Sequence, residues 1–254
     1  MNSTPKRVLV TGLNGTLAPI LAEAFGAVGI SVIGWDRLRY PTDDWTVLED
    51  FWSDYQPQAC CHLGMGSPHW AGQLAAMCQR DGLPMLFTST AMVFDASVNG
   101  PYHTSSPANP QDDYGRMKLA SEHAVVAAYP DAIIARLGWQ IHHRRGGNTM
   151  YEALSQQMEK NGKITASNAW IPATSMMSDT ADALVALLLQ GQRGLFHLDS
   201  NAVDQLDFAD IVKRLNDKLN AGWTIEVDQS YRHDQRLLDS RAVMPKLSSR
   251  LNSG

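Results

Sequence analysis

The chain has 254 residues, 44% of them hydrophobic, enough for one large α/β domain or a core domain with a small appended lobe. Its 21 basic residues against 26 acidic ones leave a formal charge of −5, which argues against nucleic acid or an anionic membrane as a partner. The longest apolar runs, such as Ala183–Leu189, are too short to cross a bilayer, and Met1–Arg7 carries no apolar leader.

Short apolar runs then alternate with helical patterns, so an α/β fold is expected: a Rossmann-type, doubly wound parallel sheet with crossover helices. Val8–Val10 reads as the first strand. A helix follows, with Leu17, Ile20, Leu21, Ala24 and Val28 on one stripe. Ser31–Trp35 is the second strand, and Trp45–Tyr55 a helix closed by Pro57. Ala59–Leu63 is the third strand. It holds Cys60 and Cys61, which as neighbours in a strand face opposite ways. No C-x-x-C occurs, so these two and Cys78 are expected as buried, reduced thiols of a cytoplasmic protein.

Trp70–Arg80 forms a helix ended by Gly82, and Met85–Thr88 the fourth strand. Asp95–Gln111 contains Gly100, Pro101, Pro107 and Pro110 and reads as a surface loop. Asp113–Tyr129 is a longer helix stopped by Pro130, and Ala132–Leu137 the fifth strand. His142–Asn148 is a loop. Helices over Thr149–Lys160 and Asp179–Leu189, a strand at Leu195–Leu198 and a helix near Phe208–Leu219 complete the reading. The expected division is a dinucleotide-binding Rossmann domain over residues 1–140. Residues 141–254 then form a small substrate lobe and complete the core.

Thr11-Gly12-Leu13-Asn14-Gly15-Thr16-Leu17-Ala18 joins the first strand to the first helix. That context turns a weak glycine pattern into a dinucleotide signal. Gly12 suits the positive φ of a tight turn, and Gly15 lets the backbone approach a pyrophosphate at the helix N-terminus. Asp36, at the end of the second strand, can accept from ribose hydroxyls, which favours NAD. Arg37 and Arg39 follow at once, and either can bind a 2′-phosphate, which favours NADP. Both cofactors therefore stand.

Tyr114 and Lys118 lie one turn apart on one helix face. A nearby ammonium stabilises a phenolate, so Lys118 is expected to lower the Tyr114 pKa, with Asp112 and Asp113 capping the helix. Tyr114 can then give a proton to a carbonyl oxygen as hydride reaches the carbon. Thr90, at the end of the preceding strand, can hydrogen-bond that oxygen. No His/Asp/Glu cluster has metal-ligand spacing, so no metal is expected.

Three runs carry a family resemblance: Val8-Leu9-Val10-Thr11-Gly12-Leu13-Asn14-Gly15, Cys61-His62-Leu63-Gly64 and Tyr114-Gly115-Arg116-Met117-Lys118-Leu119-Ala120-Ser121-Glu122. Together they resemble the extended short-chain dehydrogenase/reductase family. Ser89-Thr90-Ala91-Met92-Val93-Phe94-Asp95, Ala135-Arg136-Leu137-Gly138-Trp139 and Gly194-Leu195-Phe196-His197-Leu198 are similar to segments of its dTDP-4-dehydrorhamnose reductase branch. The resemblance implies Thr90, Tyr114 and Lys118 as catalytic residues. It implies cofactor contacts at Gly12, Asn14, Gly15, Thr16, Leu17, Asp36, Arg37, Leu63, Gly64 and Lys118. The implied reaction is NAD(P)-dependent reduction of a keto group on a sugar nucleotide or similar polar substrate. A sugar-nucleotide epimerase and a non-catalytic dinucleotide-binding regulatory subunit are the alternatives. The implied partner is a small-molecule substrate, a nucleotide-linked sugar, and a homodimer is left open. Two departures stand out: Ala91 replaces the branch's aspartate, and the stretch from Leu63 to Met85 is shortened. His62 reads as a packing residue.

Overall fold

The computed structural model describes residues 4–252. In chain order it begins with β1 (Arg7–Thr11), α1 (Leu17–Ala27), β2 (Ser31–Gly34), α2 (Trp45–Tyr55), β3 (Ala59–His62), α3 (Pro68–Asp81), β4 (Met85–Thr90) and β5 (Tyr102–His103). Next come α4 (Asp113–Ala128), β6 (Ile133–Leu137), β7 (Trp139–Ile141), α5 (Met150–Asn161), β8 (Ile164–Ser167), β9 (Trp170–Ile171), β10 (Thr174–Met176) and α6 (Met177–Leu189). β11 (Gly194–Leu198), α7 (Phe208–Leu219), β12 (Ile225–Asp228), β13 (His233–Asp234), β14 (Leu237–Leu238) and α8 (Leu247–Leu251) close it.

Two compact units interleave along the chain. The stretch after residue 140 is divided between them. The first unit runs through Val93 and also takes Pro110–Arg136 and Ala181–Phe196; the second holds Phe94–Asn109, Leu137–Thr180 and the chain from His197 onward. The cause is sheet completion. β11 belongs to the six-stranded sheet, whose order is β11-β6-β4-β3-β1-β2, so part of the later half returns to the first unit.

In that unit β1 pairs in parallel with both β2 and β3, with Val8 opposite Val32 and Ala59. β3 pairs in parallel with β4. The order changes direction beside β1, which is the place where such sheets open a ligand crevice at their strand C-termini. β3 and β4 are buried along their whole length and β1 from Val8 onward. Local signals set the helix ends. Asp44 accepts from the N–H of Thr46 and Val47, and Gln56 ends α2 in the left-handed region. Ser67 caps α3 ahead of Pro68, and Gly82 closes it at φ 64°. Against the core, Trp35 packs on Phe51 at 4.4 Å and on Trp70 at 5.5 Å between ring centroids. Cys60, Cys61 and Cys78 are buried and unbridged.

The second unit has its own core, where Ile141, Leu154, Ile164, Phe208 and Val212 meet. Its strands are short parallel pairs: β7 with β10, β8 with β12, β9 with β13 and β5 with β14. β5 corrects the reading of Asp95–Gln111 as surface loop, since Tyr102 is buried and in register with Leu237. Among the described residues no helix is long and apolar enough to cross a membrane.

Candidate active site

Both groups of residues singled out in the sequence lie in the first unit. The glycine turn comes first. Gly12 sits at φ 85°, and the Gly15 N–H closes the turn on the Gly12 carbonyl at 2.7 Å. A Cβ on Gly12 would lie 2.8 Å from the Gly64 backbone, so only glycine lets the turn after β1 meet the turn after β3. At Thr16 no side chain caps α1, and its first turn carries no acid. Asn14 and Gly15 are exposed there, and Leu17 opens the helix. That cradle suits an anion such as a pyrophosphate.

Leu63 and Gly64 enter the same floor. Their N–H groups donate to the Thr11 hydroxyl oxygen at 3.2 and 3.0 Å. Asp36 lies just beyond β2, where it accepts from the Leu38 N–H at 2.9 Å. The exposed Arg37 guanidinium reaches the Met65 carbonyl and lies 5.1 Å from the Trp70 ring centroid. Arg39 is directed elsewhere, toward Asp54 and Tyr55, both at 3.4 Å. Of the two arginines, only Arg37 reaches the loop after β3.

The second group stands at the ends of β4 and α4. Asp112 caps α4 by accepting from the Gly115 N–H at 2.6 Å, while Asp113 pairs with Arg116 instead of capping. A Cβ on Gly115 would meet the Met92 carbonyl oxygen at 2.2 Å, so glycine lets the first turn of α4 settle against Ala91–Val93. That approach brings the Tyr114 phenol close enough to Thr90 for the threonine hydroxyl to act on its pKa. Lys118, 4% exposed, donates from Nζ to the Thr88 carbonyl at 2.8 Å and lies 4.8 Å from the Phe87 ring centroid.

The electrostatics differ from expectation. Burial pushes the Tyr114 pKa up, the Thr90 hydrogen bond pulls it down, and Asp112 pushes it up again. Lys118 is not among the causes, and the lowering expected from its ammonium is corrected accordingly. The ammonium is bound to a backbone carbonyl instead of the phenol. Burial holds Lys118 down at about 8, with Glu122 opposing the shift.

Two features escaped the sequence reading. One is the Thr11 hydroxyl as a hub between two loops. The other is a buried ion pair beneath α4: Arg136 donates to both oxygens of Glu122 at 2.9 and 2.7 Å, with 6% of each side chain exposed. Helical spacing places Glu122 one turn after Lys118, on the buried face, and that position was the only signal available. Among the described residues no cluster of His, Cys, Asp and Glu could hold a metal.

A parallel sheet in this order, with a glycine turn after β1, defines a Rossmann-type fold. Residues 69–237 match the family described as RmlD substrate binding domain, and the chain belongs to that family. It is 32% identical over 125 residues to a dTDP-4-dehydrorhamnose reductase of Mycobacterium tuberculosis, covering 48% of this chain and 41% of that enzyme. It is 27% identical over 235 residues to a probable low-salt glycan biosynthesis reductase of Haloferax volcanii, covering 79% and 77%. The fold is similar to that of a Bacillus anthracis dTDP-4-dehydrorhamnose reductase in complex with NADP. The TM-score is 0.83 at 16% identity, over 97% of each chain.

Proposed function

We propose that this chain reduces the keto group of a nucleotide-linked sugar with a nicotinamide dinucleotide, NADP or NAD. The observation that carries the reading is that Thr90 at the end of β4 and Tyr114 at the start of α4 lie close enough for the threonine hydroxyl to act on the phenol, with Lys118 buried one turn further along α4. The names of the relatives supply the substrate class: the mycobacterial relative is a dTDP-4-dehydrorhamnose reductase.

The dinucleotide would lie on the turn after β1, which Gly12 lets pack against the Gly64 backbone. Gly12, Asn14, Gly15, Thr16 and Leu17 would hold its pyrophosphate, with Leu63 and Gly64 beneath. Asp36 and Arg37 would meet its adenosine side, and Lys118 its nicotinamide ribose. When bound, the dinucleotide supplies hydride. Tyr114 holds the proton on its phenol oxygen and gives it to the substrate's carbonyl oxygen. A phenol is protonated at neutral pH, so Tyr114 is in the state a donor needs, while the upward shift from burial makes it a weaker acid than a free phenol. Thr90 orients the phenol and offers its hydroxyl to the same oxygen. Lys118 holds the end of β4 through the Thr88 carbonyl.

Mixing the protein with reduced dinucleotide and a dTDP-4-keto-6-deoxyhexose tests the reading. The expected result is loss of the reduced-nicotinamide absorbance in step with alcohol formed. Isomerised sugar with no net loss of absorbance, or no reaction with either dinucleotide, rejects it.

The Lys118 charge gives a second expected outcome. As pH rises through about 8 the ammonium loses its proton, and kcat/KM falls on the alkaline side. Stability moves the other way. Between about 8 and its ordinary value near 10.4, Lys118 binds fewer protons folded than unfolded, so this group makes the fold more stable as pH climbs. Thermal melts alongside the rate profile separate the two. A flat rate profile up to pH ~10 would show that the charge on Lys118 is not needed.

A further inference from the structure

We infer that His62 is a positioning residue for the dinucleotide: as an obligatory proton acceptor it orients the Thr11 hydroxyl, which ties together the two loops that form the cofactor floor. The inference rests on the function proposed above and adds a residue that reading leaves idle.

The chemistry follows from proton counting. Thr11 and His62 stand opposite each other in the β1–β3 register. Thr11 Oγ1 accepts from the N–H of Leu63 and of Gly64 at 3.2 and 3.0 Å. A hydroxyl has two lone pairs and one proton, and both lone pairs are engaged. Its proton is left for the His62 Nδ1, 2.7 Å away. Nδ1 must then be bare, and the ring proton sits on Nε2. The imidazole must also be neutral, since an imidazolium has only donors. Burial agrees: it pulls the His62 pKa down to about 3, and the charges of Lys118 and Arg37 add to the effect.

The ring itself is held in place. It is 2% exposed, meets Trp70 edge to face at 4.6 Å between centroids, and lies 5.5 Å from Phe87. An acceptor thus stands at a set point under the floor. With it in place the Thr11 hydroxyl keeps its lone pairs on the turn after β3. Without it the hydroxyl turns its proton toward another partner and gives up an N–H of Leu63 or Gly64. These are the residues against which Gly12 is seated, its absent Cβ only 2.8 Å from the Gly64 backbone. The tie spans two separate crossover loops, so its release widens the floor without touching Thr90, Tyr114 or Lys118. Being neutral across the whole working range, the tie does not switch with pH.

His62→Phe keeps an aromatic ring and removes the acceptor, Thr11→Val keeps the shape and removes the hydroxyl, and His62→Asn restores an acceptor oxygen. The expected result is a rise of about tenfold in Kd and KM for the dinucleotide in the first two, a loss of the size a buried hydrogen bond carries. Their kcat and sugar KM stay within about twofold. His62→Asn returns dinucleotide Kd to within about threefold of the parent, a rescue that restored packing alone would not produce. If His62→Phe does not fold, Thr11→Val decides. Parent-like dinucleotide affinity in Thr11→Val overturns the inference, as does a loss confined to kcat or to stability. A parent protein that binds neither NADP nor NAD refutes the proposed function itself, a separate outcome.

Discussion

Tyr114→Phe lowers kcat by about 10²–10⁴-fold, the range for loss of a positioned general acid, and leaves dinucleotide affinity nearly unchanged. The ring stays, so packing at the start of α4 is preserved. What goes is one O–H. Tyr114 keeps 42% of its surface exposed, so an incoming substrate can reach the residue beside Thr90. After the change, Thr90 alone faces the carbonyl oxygen. A threonine hydroxyl can hydrogen-bond a developing alkoxide, but it yields its proton far less readily than a phenol. Binding is spared because, on the proposed function, the dinucleotide would rest on the turns after β1 and β3. Rates followed by nicotinamide absorbance, with affinity from fluorescence titration, check both halves. Turnover within a few-fold of the parent would remove Tyr114 from the chemistry.

Glu122→Gln costs about 3–5 kcal/mol of folding stability, the penalty for leaving the other charge of a buried pair uncompensated. The pair joins α4 to β6, and both side chains are only 6% exposed. Two charge-assisted hydrogen bonds to one carboxylate are lost in strength at once. Against a typical total of about 5–15 kcal/mol, the loss leaves a marginal fold. Urea denaturation at unchanged slope measures it. Replacing both residues with methionine should restore much of the stability, because the cost lies in the uncompensated charge and an apolar pair carries none. A double variant no more stable than Glu122→Gln would show that the pair is worth more than the burial of its charges.

Much of the first unit was legible before any coordinates. Its strands and helices fall within a residue or two of their expected places because alternation, caps and glycine stops act between near neighbours. The glycine turn was legible for the same reason: positive φ at Gly12 and an open start to α1 are properties of a few adjacent residues. So was the sharing of one helix face by Tyr114 and Lys118, which spacing dictates. The short strands β7 to β10 and β12 to β14 were not, since two to four residues hold too little periodicity to read. The role of charge at Tyr114 also had to wait. Spacing offers an ammonium one turn away, but burial and the Thr88 carbonyl determine where that ammonium points.

Residue order alone specified a parallel α/β sheet, the dinucleotide turn after its first strand and a phenol and ammonium set for a strand end. Folding in three dimensions selected what each of these does. It returned Ala181–Phe196 to the first unit, turned the Lys118 ammonium onto the Thr88 carbonyl, and joined Thr11 to His62 and Glu122 to Arg136. The reason is physical. Turns and helix faces depend on backbone angles and on neighbours a few positions away, whereas pairing, desolvation and proton placement depend on groups far apart in the chain that meet only when water has been excluded from between them.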